Sequence, residues 1–449
     1  MFITFLGAAE TVTGSNFLLE TKNETVMIDC GLFQGLKELR LRNREIPDVD
    51  FNKLKNIIIT HAHLDHTGYL PAMVKAGFKG KIHLTGPTAT LAALVLKDSA
   101  KIQEEEAENA NKEGYSKHLP ATPLYTLEDA EAAISMFEIH QENQVYSIGD
   151  INFKFRFNGH ILGSSYVEIQ AEGKKIIFSG DIGRNHSLYL DPPTVPDDAD
   201  YLILESTYGN KNHPEIDPET ELASIIAEAD RKKGNLLIAS FSIGRAQELL
   251  LLINRLRKSN KIPKLPIVFD SPMGTEATAA LFEFPEWQKL DPEHFVELNN
   301  DVFYVKGLDE TYDIIHRVNQ KIIIAGSGMV TGGRILHYLK EYIQDKRHTL
   351  LLVGYQGEGT RGRALIDGAQ EIKFFGKYYP VNINIVQMES LSAHADQQEL
   401  LDWVKGFKKK PQKIFLVHGE IQAMEVLKDK LAQMNINAFI PKHSERIEI

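Results

Sequence analysis

The stretch Asn56-Ile57-Ile58-Ile59-Thr60-His61-Ala62-His63-Leu64-Asp65-His66 runs from an apolar segment straight into four potential metal ligands within six residues. Such a run predicts a buried strand that stops and hands its next side chains to a loop at a sheet edge. His61 and His63, two apart in extended backbone, share one side. Asp65 and His66 fall where the chain turns toward a helix and can address a second ion. Zinc accepts imidazole nitrogen and carboxylate oxygen at about 2.0–2.2 Å, and a catalytic zinc keeps one position open for water. A loop rich in histidine by chance is the bland alternative, which only partners elsewhere in the chain can dismiss.

Three later segments repeat the pattern of a polar ligand just beyond an apolar strand: His160 in Phe157-Asn158-Gly159-His160, Asp181 in Phe178-Ser179-Gly180-Asp181, and His418 in Leu416-Val417-His418-Gly419. Glycine beside each lets the backbone approach an ion closely. A lone histidine at a strand end is usually structural. Four such segments favour one shared site at a sheet edge.

Composition sets the limits. The chain has 449 residues, 43% hydrophobic and 25% charged, which suits a soluble globular protein of two to three domains. Its single cysteine, Cys30, excludes an intrachain disulfide and fits a reducing compartment. Following Asp29 at the end of an apolar run, Cys30 reads as a small core residue. No basic leader and no run of membrane-spanning length stand out, so the expected location is cytoplasmic, without a membrane partner. The net charge of −11 argues against a general polyanion binder. A nucleic-acid substrate would need a local basic groove and bound metals to overcome it.

Residues 15–19 and 25–28 flank the turn Lys22-Asn23-Glu24 as a hairpin, and 151–157, 165–170 and 175–178 read as further strands. Residues 88–111 read as a helix with an acidic, solvated face. From Gly234 the texture becomes repeated strand–loop–helix, predicting a separate helix-covered parallel sheet. After Pro380 two last strand–helix units follow, at 381–407 and 413–434.

The ligand segments resemble the metallo-β-lactamase superfamily. That resemblance implies an α/β fold, an αββα sandwich with a dinuclear zinc site at one edge. It implies two Zn²⁺ per chain, one on His61, His63 and His160, the other on Asp65, His66 and His418. Asp181 would bridge them, and Asp29 would orient ligands from behind. Asp65 counts with the catalytic groups as well.

Glu205, in Leu204-Glu205-Ser206-Thr207-Tyr208, and His394, in Ser392-Ala393-His394-Ala395-Asp396, narrow the match to the β-CASP branch. Here an α/β β-CASP domain is inserted into the sandwich, dividing the chain into 1–208, 209–385 and 386–449. The branch implies a zinc-dependent ribonuclease that cuts single-stranded RNA with metal-bound hydroxide, His394 being the general acid and Glu205 its partner. A carboxylate neighbour keeps a histidine protonated near neutral pH, as an acid requires. A plain structural pair is the competing account of Glu205 and His394. Ser390-Leu391 departs from the glycine and aromatic common there.

Ser392 is a candidate phosphate donor. Gly326-Ser327-Gly328-Met329-Val330-Thr331-Gly332-Gly333-Arg334 and Ser242-Ile243-Gly244-Arg245 are glycine-bearing loops that open helices and could hold an anion, through Ser327, Arg334 and Arg245. Neither is a P-loop, since the lysine is missing. The remaining histidines, among them His83, His118, His140 and His186, carry no assigned role. A DNA nuclease of the same fold and a non-catalytic RNA-binding scaffold are the rival readings, and a homodimer is expected by analogy. The motifs leave endonuclease and 5′-exonuclease modes open.

Overall fold

The computed structural model describes residues 1–114, 120–291, 293 and 301–449; His118 lies outside them. The chain forms two compact units, one of Met1–Asn212 with His394–Ile449, the other of His213–Ala393.

The first unit is built on two seven-stranded sheets. In spatial order one runs Glu445–Glu448, Phe2–Phe5, Phe17–Glu20, Thr25–Ile28, Leu54–Ile58, Lys81–Thr85, Phe137–His140. The other runs Ala438–Phe439, Lys413–Val417, Tyr201–Glu205, Lys174–Phe178, Ser165–Ala171, Ile151–Phe157, Tyr146–Ile148. Alternation drives their pairing: in Ile151–Phe157 the apolar residues are buried and Asn152, Lys154 and Arg156 face outward. Phe5, Phe17, Ile28 and Ile58 of the first sheet meet Phe155, Val167, Phe178 and Val417 of the second in one core. The second sheet's other face, with Ile177, Leu202 and Leu416, is covered by the helices Gln397–Lys405 and Ile421–Gln433 through Leu400, Val404 and Leu427. The helix Gly86–Glu113 packs on Lys81–Thr85 and Phe137–His140. Helix, sheet, sheet and helix thus make an αββα sandwich.

Tyr201–Glu205 pairs in parallel with Lys413–Val417, Glu205 opposite Val417. Two adjacent strands are therefore separated in sequence by the whole second unit, which leaves Glu205 and His418 side by side.

The second unit carries a six-stranded sheet in the order Val302–Tyr304, Ile267–Asp270, Ile322–Ala325, Leu236–Ala239, Thr349–Val353, Asn384–Met388. Every pairing in it is parallel. The strand of the 381–407 unit spans Asn384–Met388 and pairs in parallel with Thr349–Val353. Just before it Glu371–Phe374 and Lys377–Pro380 form a separate hairpin. Its turn residues, Phe375 and Gly376, both have positive φ (46° and 74°), the conformation a two-residue turn needs. An aromatic residue at the first turn position masks that hairpin in the sequence. Phe2–Phe5, Lys81–Thr85 and Phe137–His140 are further strands beyond those expected. Among the described residues no helix is long and apolar enough to cross a membrane.

Candidate metal centre

Asp29, His61, His160, Asp181, Glu205 and His418 all follow or end strands whose C-termini lie at one edge of the sandwich. Asp29 and His418 sit directly after Thr25–Ile28 and Lys413–Val417, each with positive φ (58° and 49°). Left-handed backbone at a non-glycine residue is strained, and such strain persists where surrounding contacts over-determine it. Leu64–Thr67 forms a short helix, presenting Asp65 and His66 from its first turns. Gly31 makes room for that turn, since a Cβ there would lie 1.6 Å from the Asp65 carbonyl oxygen. Cys30 is fully buried and hydrogen-bonds by its backbone to His66 and Tyr69.

One group joins His61, His63, His160 and Asp181. His61 Nε2 lies 3.1 Å from His63 Nδ1, and His160 Nε2 lies 3.2 Å from the same atom. Asp181 Oδ2 is 3.4 Å from His61 Nε2 and 3.5 Å from His160 Nε2. Ligands about 2.0–2.2 Å from a tetrahedral ion stand roughly 3.3–3.6 Å apart, which these separations approach. A second group joins Asp65, His66 and His418. His418 Nε2 is 3.4 Å from Asp65 Oδ2, while Thr207 Oγ1 lies 3.0 Å from its Nδ1. Asp181 Oδ1 faces this group, 3.3 Å from His66 Nε2.

The electrostatics suit cations. Burial, reinforced by neighbouring imidazoles, holds His61 and His160 well below the usual histidine pKa, and burial brings His63 down to about 4. Neutral imidazoles offer the lone pairs that metals require. Asp181 is buried, and although burial opposes ionisation, the charges of His418 and His66 keep its carboxyl well below the usual range. Among the described residues its Oδ1 finds no well-aligned hydrogen-bond donor. A buried carboxylate oxygen without a donor is costly, and a metal ion would satisfy it. The residues present therefore fit a pair of zinc ions.

Behind the ligands, Asp29 Oδ2 lies 2.8 Å from His66 Nδ1, and its Oδ1 accepts from Thr60 N at 2.8 Å. Thr60 Oγ1 lies 3.1 Å from His61 Nδ1. Thr60 and Thr207 are supporting groups that the sequence does not single out, and Ser15 Oγ stands 3.3 Å from His66 Nε2, the ring nitrogen that faces Asp181. Thr60 is adjacent to His61 and Thr207 is two residues from Glu205, a proximity that offers a signal; nothing points to Ser15.

His394 Nδ1 is 3.3 Å from both Glu205 carboxylate oxygens. Glu205 is fully buried and accepts from Ile182 N and Thr207 N. The ring of His394 lies 4.6 Å from that of His160 and 5.9 Å from that of His418. Burial alone would depress its pKa, but the charge and hydrogen bonding of Glu205, with Asp181 and Asp65, raise it above the ordinary value.

The four phosphate candidates belong to the second unit. Ser327 and Arg334 bound the loop after Ile322–Ala325, where Arg334 Nη1 donates to Thr311 Oγ1 at 2.8 Å. Arg245 is buried and ion-paired with Glu248 one turn along its helix, so its charge is already engaged. Ser392 is buried beyond the last strand, not on the surface.

Comparison with known proteins places three family models along the chain: "Metallo-beta-lactamase superfamily" at residues 10–211, "Beta-Casp domain" at 246–365 and "Zn-dependent metallo-hydrolase RNA specificity domain" at 378–441. The chain is 32% identical to "Ribonuclease TTHA0252" of Thermus thermophilus over 100% of both proteins. It is 34% identical to an "RNase J-like protein" of Methanocaldococcus jannaschii over 98% of each. It is also 32% identical to "Transcription termination factor FttA" of the same archaeon, over 93% of this chain and 67% of that one. A solved protein of unknown function from Enterococcus faecalis has the same fold, with TM-score 0.54 and 15% identity over 100% of this chain and 99% of that one.

Proposed function

The chain belongs to the β-CASP family of the metallo-β-lactamase superfamily, and on that premise we propose that it is a zinc-dependent ribonuclease acting on single-stranded RNA. The observation that carries this reading is the His394–Glu205 pair standing beside two clusters of metal-ligating side chains. The ribonuclease names of two full-length relatives and the match to an RNA specificity model support RNA as the substrate.

His61, His63 and His160 would hold one ion and Asp65, His66 and His418 the other, with one oxygen of Asp181 turned to each. When bound, a zinc pair supplies Lewis acidity for activating water and for the charge that builds on the phosphoryl oxygens. Glu205 takes the Nδ1 side of His394, fixing the tautomer and stabilising the imidazolium. The proton at Nε2 is then the one donated to the 3′ oxygen as its bond to phosphorus breaks. Water's oxygen stays on phosphorus, so one product ends in a 3′-hydroxyl and the other begins with a 5′-phosphate. Ser327 and Arg334, on the second unit, remain candidates for phosphate contacts.

Asp29→Asn should weaken zinc binding about 10- to 100-fold, as loss of an outer partner commonly does. Asparagine can present its oxygen to Thr60 or to His66, not to both, and its amide opposes one donor. Competition with a chromogenic chelator checks this; unchanged affinity would remove Asp29 from the orienting role.

Incubation with 5′-labelled and internally labelled RNA oligomers tests the reading as a whole. RNA should be cut to 5′-phosphorylated products, with DNA of the same sequence a poor competitor. Early release of labelled mononucleotides indicates a 5′-exonuclease, and intermediate fragments an endonuclease. Intact RNA beside hydrolysed DNA, lactam or thioester would overturn the proposal.

A further inference from the structure

A row of three rings on the second unit, exposed at its two ends and half-buried at His337 between them, has no part in the metal centre. Tyr312, His337 and Phe375 come from three elements, the helices Leu308–His316 and Ile335–Tyr342 and the turn of the 371–380 hairpin. Their neighbouring ring centroids are 5.7 and 5.1 Å apart, and the Tyr312 hydroxyl lies 3.1 Å from His337 Nδ1. Tyr312 is 41% and Phe375 51% exposed.

Folding does not explain Phe375. The hairpin is anchored by its neighbour Phe374, buried and stacked on Tyr379 at 4.2 Å. Phe375 occupies a left-handed turn position that glycine or asparagine fills without strain. A large ring is thus held outward where the backbone disfavours one.

Basic side chains lie on the hairpin and on the helix that carries His337, whereas Tyr312's own helix carries the exposed Asp309 and Asp313. Lys373 lies over the exposed Tyr378 ring at 5.3 Å, and Lys377 is exposed on the same hairpin. Arg334 and Lys340 are the charges that act on His337, adding to burial in lowering its pKa. Arg361 donates to the carbonyls of both Thr331 and Lys373, tying the glycine-rich 326–334 loop to the hairpin. Open π faces among lysines are the chemistry that holds single-stranded nucleic acid, bases on the rings and phosphates on the cations.

We propose that Tyr312, His337 and Phe375 form a base-stacking platform for single-stranded RNA, with Lys340, Lys373 and Lys377 meeting its phosphates; this rests on the ribonuclease reading above. The platform strengthens binding of longer RNA and leaves the chemical step alone.

The test measures fluorescence anisotropy of a fluorescein-labelled oligouridylate with full-length protein in a His394→Ala background, so that RNA stays uncut. The double change Tyr312→Ala/Phe375→Ala should raise Kd about 10- to 100-fold, given the usual worth of base–aromatic stacking. Phe375→Trp should keep affinity, whereas Phe375→Leu, apolar but without a π face, should lose it. The Trp and Leu variants carry the test if the double variant melts early. With His394 intact, the double change should raise KM for long RNA and spare kcat. Unchanged Kd in folded variants overturns the platform and leaves the ribonuclease reading standing. If no form binds RNA and the unsubstituted protein cuts none, both fall. A dimer that becomes monomeric in the double variant at constant RNA affinity would assign this surface to a second copy of the chain, also against the proposal.

Discussion

His394→Ala should lower the rate of RNA cleavage about 10²- to 10⁴-fold, the range spanned by positioned general acids, while zinc content and thermal unfolding stay as they were. Three observations separate this residue from the ligands around it. Its Nδ1 is committed to Glu205, the charge and hydrogen bonding of that carboxylate together with Asp181 and Asp65 outweigh the effect of burial on its pKa, and it belongs to neither group of clustered ligands. Glu205→Gln should lose much of the same rate, because an amide at that position cannot stabilise an imidazolium by charge. RNA with a sulfur-substituted 3′ leaving atom, whose departure needs little protonation, should be cut by His394→Ala at nearly the unsubstituted protein's rate. An active His394→Ala enzyme on ordinary RNA, or failure of the sulfur substrate to restore the rate, would end the acid assignment.

Asp181→Asn should cost metal as well as rate, because one carboxylate faces both ligand groups. Asparagine keeps the shape but removes the charge and turns one acceptor into a donor facing an imidazole. Metal content should fall below two per chain. Cleavage should drop by roughly 10³-fold or more, the equivalent of the several kcal/mol that metal ions contribute to such transition states. Mass spectrometry of the native protein and steady-state rates at saturating zinc read the two effects. Full metal loading and full activity in this variant would show that Asp181 is not shared.

Much of the centre is legible in the amino-acid sequence, because metal sites at strand ends leave a local mark. An apolar run followed at once by His or Asp, with glycine adjacent, marks His160, Asp181 and His418 one at a time, and the denser His61–His66 run needs no glycine to stand out. Their convergence follows from topology: Tyr201–Glu205 and Lys413–Val417 are neighbours although the second unit lies between them in sequence. The supporting shell is hidden, since Thr60 and Thr207 are ordinary strand-end hydroxyls until their partners' positions are known. Arg245 misleads in the other direction. A glycine-bearing loop suggests an anion contact there, yet Glu248 three residues on is a helical partner that the spacing alone makes available.

The compact units divide at 212/213 and 393/394. Hydrophobic patterning places a strand better than its bounds, and the edge strand of the parallel sheet spans Asn384–Met388. The net charge of −11 does not by itself oppose RNA binding, because salt screens surface charges more than about 10 Å from a bound phosphate.

The most direct test is the zinc content of the purified, fully folded protein, measured beside its RNA-cleaving rate as a tight chelator removes the metal. The account predicts two zinc ions per chain and a rate that falls with their removal and returns when zinc is restored. Undiminished cleavage by metal-free protein, or a zinc content that never exceeds one per chain when zinc is plentiful, would contradict it.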